Sequence, residues 1–92
     1  MKLIKTPTKG GLYLLQDIEY GIYPKETWIV YITRIYPDNT IAVKDLYILK
    51  DSWEKLKTNK SFKTPVDDWL QYRSLYKINK KEIEKLIFLD MI

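Results

Sequence analysis

Nine of the sixteen Lys and Arg side chains fall between Lys50 and Lys81, against four carboxylates in the same stretch. They are Lys50, Lys55, Lys57, Lys60, Lys63, Arg73, Lys77, Lys80 and Lys81. From Ser61 to Lys81 the only acids are Asp67 and Asp68. Cations gathered in this way can neutralise phosphates and release their counterions. A solvated lysine-rich surface has the same composition, so both readings stand. Elsewhere the balance differs: residues 1–49 hold six basic and five acidic groups, residues 82–92 one and three, and the whole chain carries +4.

Eight Tyr and three Trp are a heavy aromatic load for 92 residues. Trp28, Tyr31, Trp53 and Trp69 fall on apolar stripes and read as core. Tyr13, Tyr20, Tyr23, Tyr36 and Tyr47 fall on the strands and loops of the first half. Tyrosine beside Lys or Arg suits stacking on single-stranded bases, and equally suits protein interfaces. The candidate binding set is therefore Lys60, Lys63, Arg73, Lys77, Asn79, Lys80 and Lys81, with Tyr20, Tyr23 and Tyr36.

Other chemistry is hard to build. Without cysteine there is no disulfide, zinc thiolate or thiolate nucleophile. Without histidine the commonest general base and metal ligand are gone, and a Ser–His or Cys–His device is excluded. Asp67 and Asp68 are neighbours on an expected helix, where side chains point about 100° apart and do not converge. Gly10-Gly11 lacks the following Gly and Lys of a phosphate loop. The expectation is a chain with no catalytic set, cofactor or metal. No apolar run approaches the roughly 20 residues of a membrane helix, and the opening MKLIKTPTKGG is no signal peptide. Cytoplasmic location is expected, since the lack of cysteine suits a reducing compartment.

The elements that must position these groups divide at residue 50. Lys5 to Gly11 is a loop, followed by a short strand over 11–15; Tyr20 to Lys25 is another loop. Thr27–Tyr36 is the best strand, with large apolar groups on both faces, so it should be covered on both sides. Pro37-Asp38-Asn39 makes a tight turn, Asn taking the left-handed position, and Thr40–Lys44 returns and continues toward Leu49. Ile29, Tyr31, Ile32, Ile41 and Val43 should supply most of this hairpin's buried side chains. Helical cues follow. Asp51 with Glu54 and Asn79 with Glu82 fit capping boxes, and Thr64-Pro65 fits an N-cap and first turn. Helices are expected over 51–58, 65–76 and 80–90. The fold class is then α+β, one domain over 1–92, with 1–49 mainly β and 50–92 mainly α. It is a small antiparallel sheet containing the 27–49 hairpin, followed by two or three helices packed on it. A closed SH3-like barrel for residues 1–49 is the competing architecture.

Tyr72, Tyr76, Ile78, Ile83 and Leu86 fall at spacings 0, 4, 6, 11 and 14. This resembles the apolar framework of a helix-turn-helix DNA-binding unit. The resemblance implies that the second helix enters the major groove, presenting Asn79, Lys80, Lys81, Glu84 and Lys85. Arg73 departs from the family's small residue and Lys77 from its turn glycine. Two amphipathic helices joined by a short turn have the same spacing. The functional expectation is a small basic non-enzymatic nucleic-acid-binding protein contacting backbone through Lys and Arg of residues 50–81. The alternative is an inhibitor or adaptor of phage or mobile-element type, acting on a nucleic-acid-processing protein such as a CRISPR or restriction effector. Its partners are nucleic acid or such a protein, with no membrane, and a homodimer is compatible.

Overall fold

The computed structural model describes residues 2–18, 26–57 and 60–90, the side chains of 88–90 excepted. Its elements are β1 (Lys2–Ile4), β2 (Leu12–Asp17), β3 (Thr27–Ile35), β4 (Thr40–Leu49), β5 (Trp53–Lys55), β6 (Phe62–Pro65), α1 (Val66–Trp69), β7 (Arg73–Lys77) and α2 (Lys80–Asp90). The seven strands form one antiparallel sheet in the order β1-β7-β2-β3-β4-β5, with β6 also paired to β4.

This overturns the expected sheet followed by two or three packed helices: among the described residues strand far outweighs helix, and only one of the two helices is longer than a single turn. The stretch 51–58 contains β5, which pairs with the end of β4 and lays Trp53 beside Tyr47. The Asp51–Glu54 spacing therefore caps nothing. The stretch 65–76 holds a single helical turn and then β7. Pro65 occupies the N-cap of α1, and Thr64 belongs to β6, its hydroxyl donating to the Pro65 carbonyl at 3.3 Å. Without a helix at 73–77 there is no helix-turn-helix, and Tyr72, at 49% exposure, is no framework residue. Nor do residues 1–49 close as an SH3-like barrel, since β1 pairs with β7.

The rest follows local chemistry closely. Asn39 adopts φ 61°, and the turn is closed by Tyr36 N–H donating to the Thr40 carbonyl at 2.8 Å. Asn79 and Glu82 form the reciprocal box at the head of α2, at 2.8 and 3.2 Å. Before β2, Gly10 takes φ +79°, and a Cβ on Gly11 would meet the Tyr13 ring at 2.5 Å. That space lets the buried Tyr13 hydroxyl receive the Thr8 N–H at 2.8 Å, which ties the loop down.

Both faces of the sheet are covered, as the two apolar faces of β3 require. On one face Tyr13, Leu15, Val30, Ile32, Ile41, Val43 and Leu75 pack with Val66 and Trp69 of α1. On the other, Leu14 and Ile29 pack with Ile78 and Ile83, and Leu86 and Ile87 of α2 join them. Of the five hairpin residues expected to be buried, Ile29, Ile32, Ile41 and Val43 are fully so, and Tyr31 is half-buried.

The sheet must curl around α1. Strands β6 and β7 stand four positions apart, a gap of roughly 19 Å if flat. Residues 66–72 bridge it, and 66–69 of them are coiled as helix. Phe62 of β6 and Arg73 of β7 accordingly line the same pocket of about 80 Å³.

Candidate functional site

The structure divides the basic candidates between two places. On the β6 side, Lys63 pairs with Ala42, which pairs in turn with Arg34. Arg34 reaches that face because β3 is irregular between Ile32 and Arg34, which rotates the chain by one residue. Thr33 holds the irregularity, its hydroxyl donating to the Ala42 carbonyl at 3.2 Å and sharing a 3.1 Å hydrogen bond with Ser61. Tyr36 sits where both cations meet. Lys63 Nζ lies 4.2 Å from its ring centre and Arg34 Cζ 5.8 Å. Asp38 is close by, held below the usual carboxylate range chiefly by the Thr40 hydroxyl and to a lesser degree by Lys63. Lys60, exposed, lies just before β6.

The second group lies beyond β4, β3 and β2. Lys77 stands directly opposite Lys2 on β1, and Lys80 and Lys81 open α2. Asn79 is exposed at this end, but its side-chain oxygen accepts the Glu82 N–H and is committed to the cap. Lys2, Lys77, Ile78, Asn79 and Glu82 border an open groove of about 480 Å³. Arg73 joins neither group. On a helix it would neighbour Lys77 at i+4, but on β7 the two are roughly 13 Å apart along the strand. Tyr20 and Tyr23 lie outside the described residues.

Arg73 instead ties β7 to β2 and α1. Its Nε donates to Asp17 Oδ1 at 3.2 Å, a terminal N–H reaches the Trp69 carbonyl at 3.3 Å, and the guanidinium lies 5.4 Å from the Trp28 ring centre. Asp45 faces it across the small pocket, with Leu15, Trp28, Phe62 and Trp69 completing the lining. Burial pushes the Asp45 carboxyl above its usual range, partly opposed by Arg73. Sequence reasoning missed Arg34 and Asp45. Arg34 had one visible signal, its place two residues before Tyr36; Asp45 lay in an apolar strand with no partner in sequence.

The raised Asp45 makes a pH prediction. Between the ordinary carboxylate range and its raised value, the folded chain holds this proton more tightly than the unfolded chain. Its contribution to stability is therefore fully present below that window and is lost as pH rises through it. Asp45→Asn should raise Tm at pH 7 and flatten the decline expected as pH rises through that window. Melts at four or five pH values measure both; an Asn variant less stable than wild type at pH 7 would contradict the assignment.

No family model, curated protein or solved structure matches this chain. Among the described residues no helix is long and apolar enough to cross a membrane.

Proposed function

We propose that the protein is a non-enzymatic, cytoplasmic binder of nucleic acid that holds the phosphate chain with Arg34 and Lys63. The observation that carries this reading is the gathering of two cations on the Tyr36 ring, with Lys63 Nζ at 4.2 Å and Arg34 Cζ at 5.8 Å. Free Lys and Arg lose rotamer entropy when a phosphate fixes them. Here cation–π contact has already restricted both side chains. Tyr36 is half-buried, so the ring that holds both cations remains partly accessible. Lys60 extends the same surface, and the Lys77–Lys81 group offers a second contact for a long strand.

Binding of labelled single-stranded and duplex DNA and RNA, followed over a salt series, tests this. The double variant Arg34→Glu/Lys63→Glu should weaken binding about equally on every sequence. It should also reduce the salt slope on duplex DNA by roughly 1.8, two phosphate contacts' worth. Unchanged affinity and slope in that variant would sink the reading.

One observation favours the alternative, a protein-binding inhibitor or adaptor. Leu3, 53% exposed, lies on β1 at the edge of the sheet, beside a groove of about 360 Å³ lined also by Ile4, Val66 and Leu70. A strand edge with an apolar flank suits a protein partner. Retention of one partner after nuclease treatment, without salt-dependent nucleic-acid binding, would support it.

A further inference from the structure

The pocket between β4, β6, β7 and α1 has the walls and charge of a cation site. Its lining is Leu15, Trp28, Phe62 and Trp69, with the Asp45 carboxylate and the Arg73 guanidinium. Three of those six are aromatic. Arg73 is already committed: it bonds Asp17 and the Trp69 carbonyl and lies over Trp28. Asp17 neutralises it. Among the described residues no hydrogen bond reaches the Asp45 carboxylate; Arg73 offsets it only in part, and Asp17, Arg73 and Asp45 together carry a net negative charge. Phe62, 41% exposed, leaves one side open to solvent.

We propose that this pocket binds an alkylammonium group, whose N–H donors or methyl groups meet Asp45 and the aromatic walls. A volume of about 80 Å³ holds an ammonium carbon and its few neighbours but not a nucleobase. Aromatic faces attract such cations, and the attraction grows when water is excluded. A bound cation would also relieve the burial of Asp45. The inference is independent of the nucleic-acid reading: its residues lie on the α1 face of the sheet, and Lys63 and Arg34 on the opposite face.

The chemistry could come from a free amine or from a lysine side chain of another protein. Methylammonium chloride and N-acetyl-lysine N-methylamide are therefore titrated separately into the intact chain, with sodium chloride at equal ionic strength as control. The readout is the indole N–H resonances. Trp28 and Trp69 should shift saturably, while Trp53, on the α2 face, stays in place. Tighter saturation by the lysine amide assigns the site to a protein side chain, and tighter saturation by methylammonium to a free amine. Asp45→Asn should fold, since it removes a charge that burial penalises, and should weaken binding at least about tenfold. Phe62→Ala, at a half-open wall, should weaken it several-fold and serves as the second variant. Shifts reproduced by sodium chloride, no saturation with either amine, or Asp45→Asn binding as well as wild type would each overturn the proposal.

Discussion

Replacing Trp69 with Ala should cost about 3–5 kcal/mol, a large share of what a domain this size has to spare. Trp69 is 3% exposed and sits in the larger core cluster with Tyr13, Leu15, Val30, Ile32 and Leu75. It does more than fill volume. The helix α1 is one turn long, far too short to hold itself together. Its place inside the curled sheet depends on two buried side chains, Val66 and Trp69. Backbone bonds contribute less: Val66 N–H reaches the Asn39 carbonyl at 3.0 Å, and Leu70 N–H the Val66 carbonyl at 3.0 Å. Without the indole, the link from β6 to β7 loses its anchor and the Asp45 pocket loses a wall. Thermal melting should show Tm falling by well over about 10 °C. Trp69→Phe should recover part of the loss. A fall of only a degree or two for Trp69→Ala would mean that α1 is not lodged within the curl.

What could be read from the sequence was the part governed by near neighbours. Strands β3 and β4, their turn and the α2 cap each rest on residues within a few positions of one another. Pro37-Asp38-Asn39 can hardly do otherwise than turn, and Asn79-Lys80-Lys81-Glu82 contains both halves of its own hydrogen-bonded box. The misread segments were those whose partners lie far away. Trp53 and Glu54 fit a helix by themselves, but the free end of β4 offers hydrogen bonds and a Tyr47 surface that one short helix cannot match. Val66, Trp69 and Leu70 do follow a helical period. The period breaks after Leu70, because Arg73, Leu75 and Lys77 alternate with Ser74 and Tyr76. That change from 3.6 to 2 was the available signal, and the Thr64-Pro65-Val66-Asp67-Asp68 start obscured it. The candidate site suffered for the same reason. A helix over 65–76 would set Arg73 one turn from Lys77. As a strand residue opposite Asp17 it bonds that carboxylate instead and is only partly exposed. Strict alternation along β3 would set Arg34 on the face of Val30 and Ile32, and the irregularity between Ile32 and Arg34 moves it to the other. A shift of that kind depends on how β4 and Ser61 meet β3, which the spacing within β3 does not contain.

The helical and extended readings of residues 72–77 make opposite demands on two side chains, and a pair of alanine variants separates them. In a helix running to 76 and crossing onto the next, Tyr72 is a framework residue and its loss opens the helix contact. In the strand, Tyr72 lies in the turn before β7, 49% exposed, its hydroxyl accepting from the Gln71 side-chain amide at 3.3 Å. Leu75 is the buried one, at 1% exposure, standing between Ile4 of β1 and Leu15 of β2. Strand β7 is interior to the sheet at this point, so nothing can slide in to fill the space that a smaller side chain leaves. Leu75→Ala should therefore cost about 2–5 kcal/mol. Tyr72→Ala, as a largely exposed change, should stay within about 0.5–1 kcal/mol. Denaturant midpoints measured at constant m-value give both numbers. Amide exchange adds a second view, since Arg73 to Lys77 should be protected by bonds to β1 and β2 until the whole sheet opens. A larger loss from Tyr72 than from Leu75 would return this segment to the helical reading, and with it the groove-reading role of Asn79, Lys80 and Lys81.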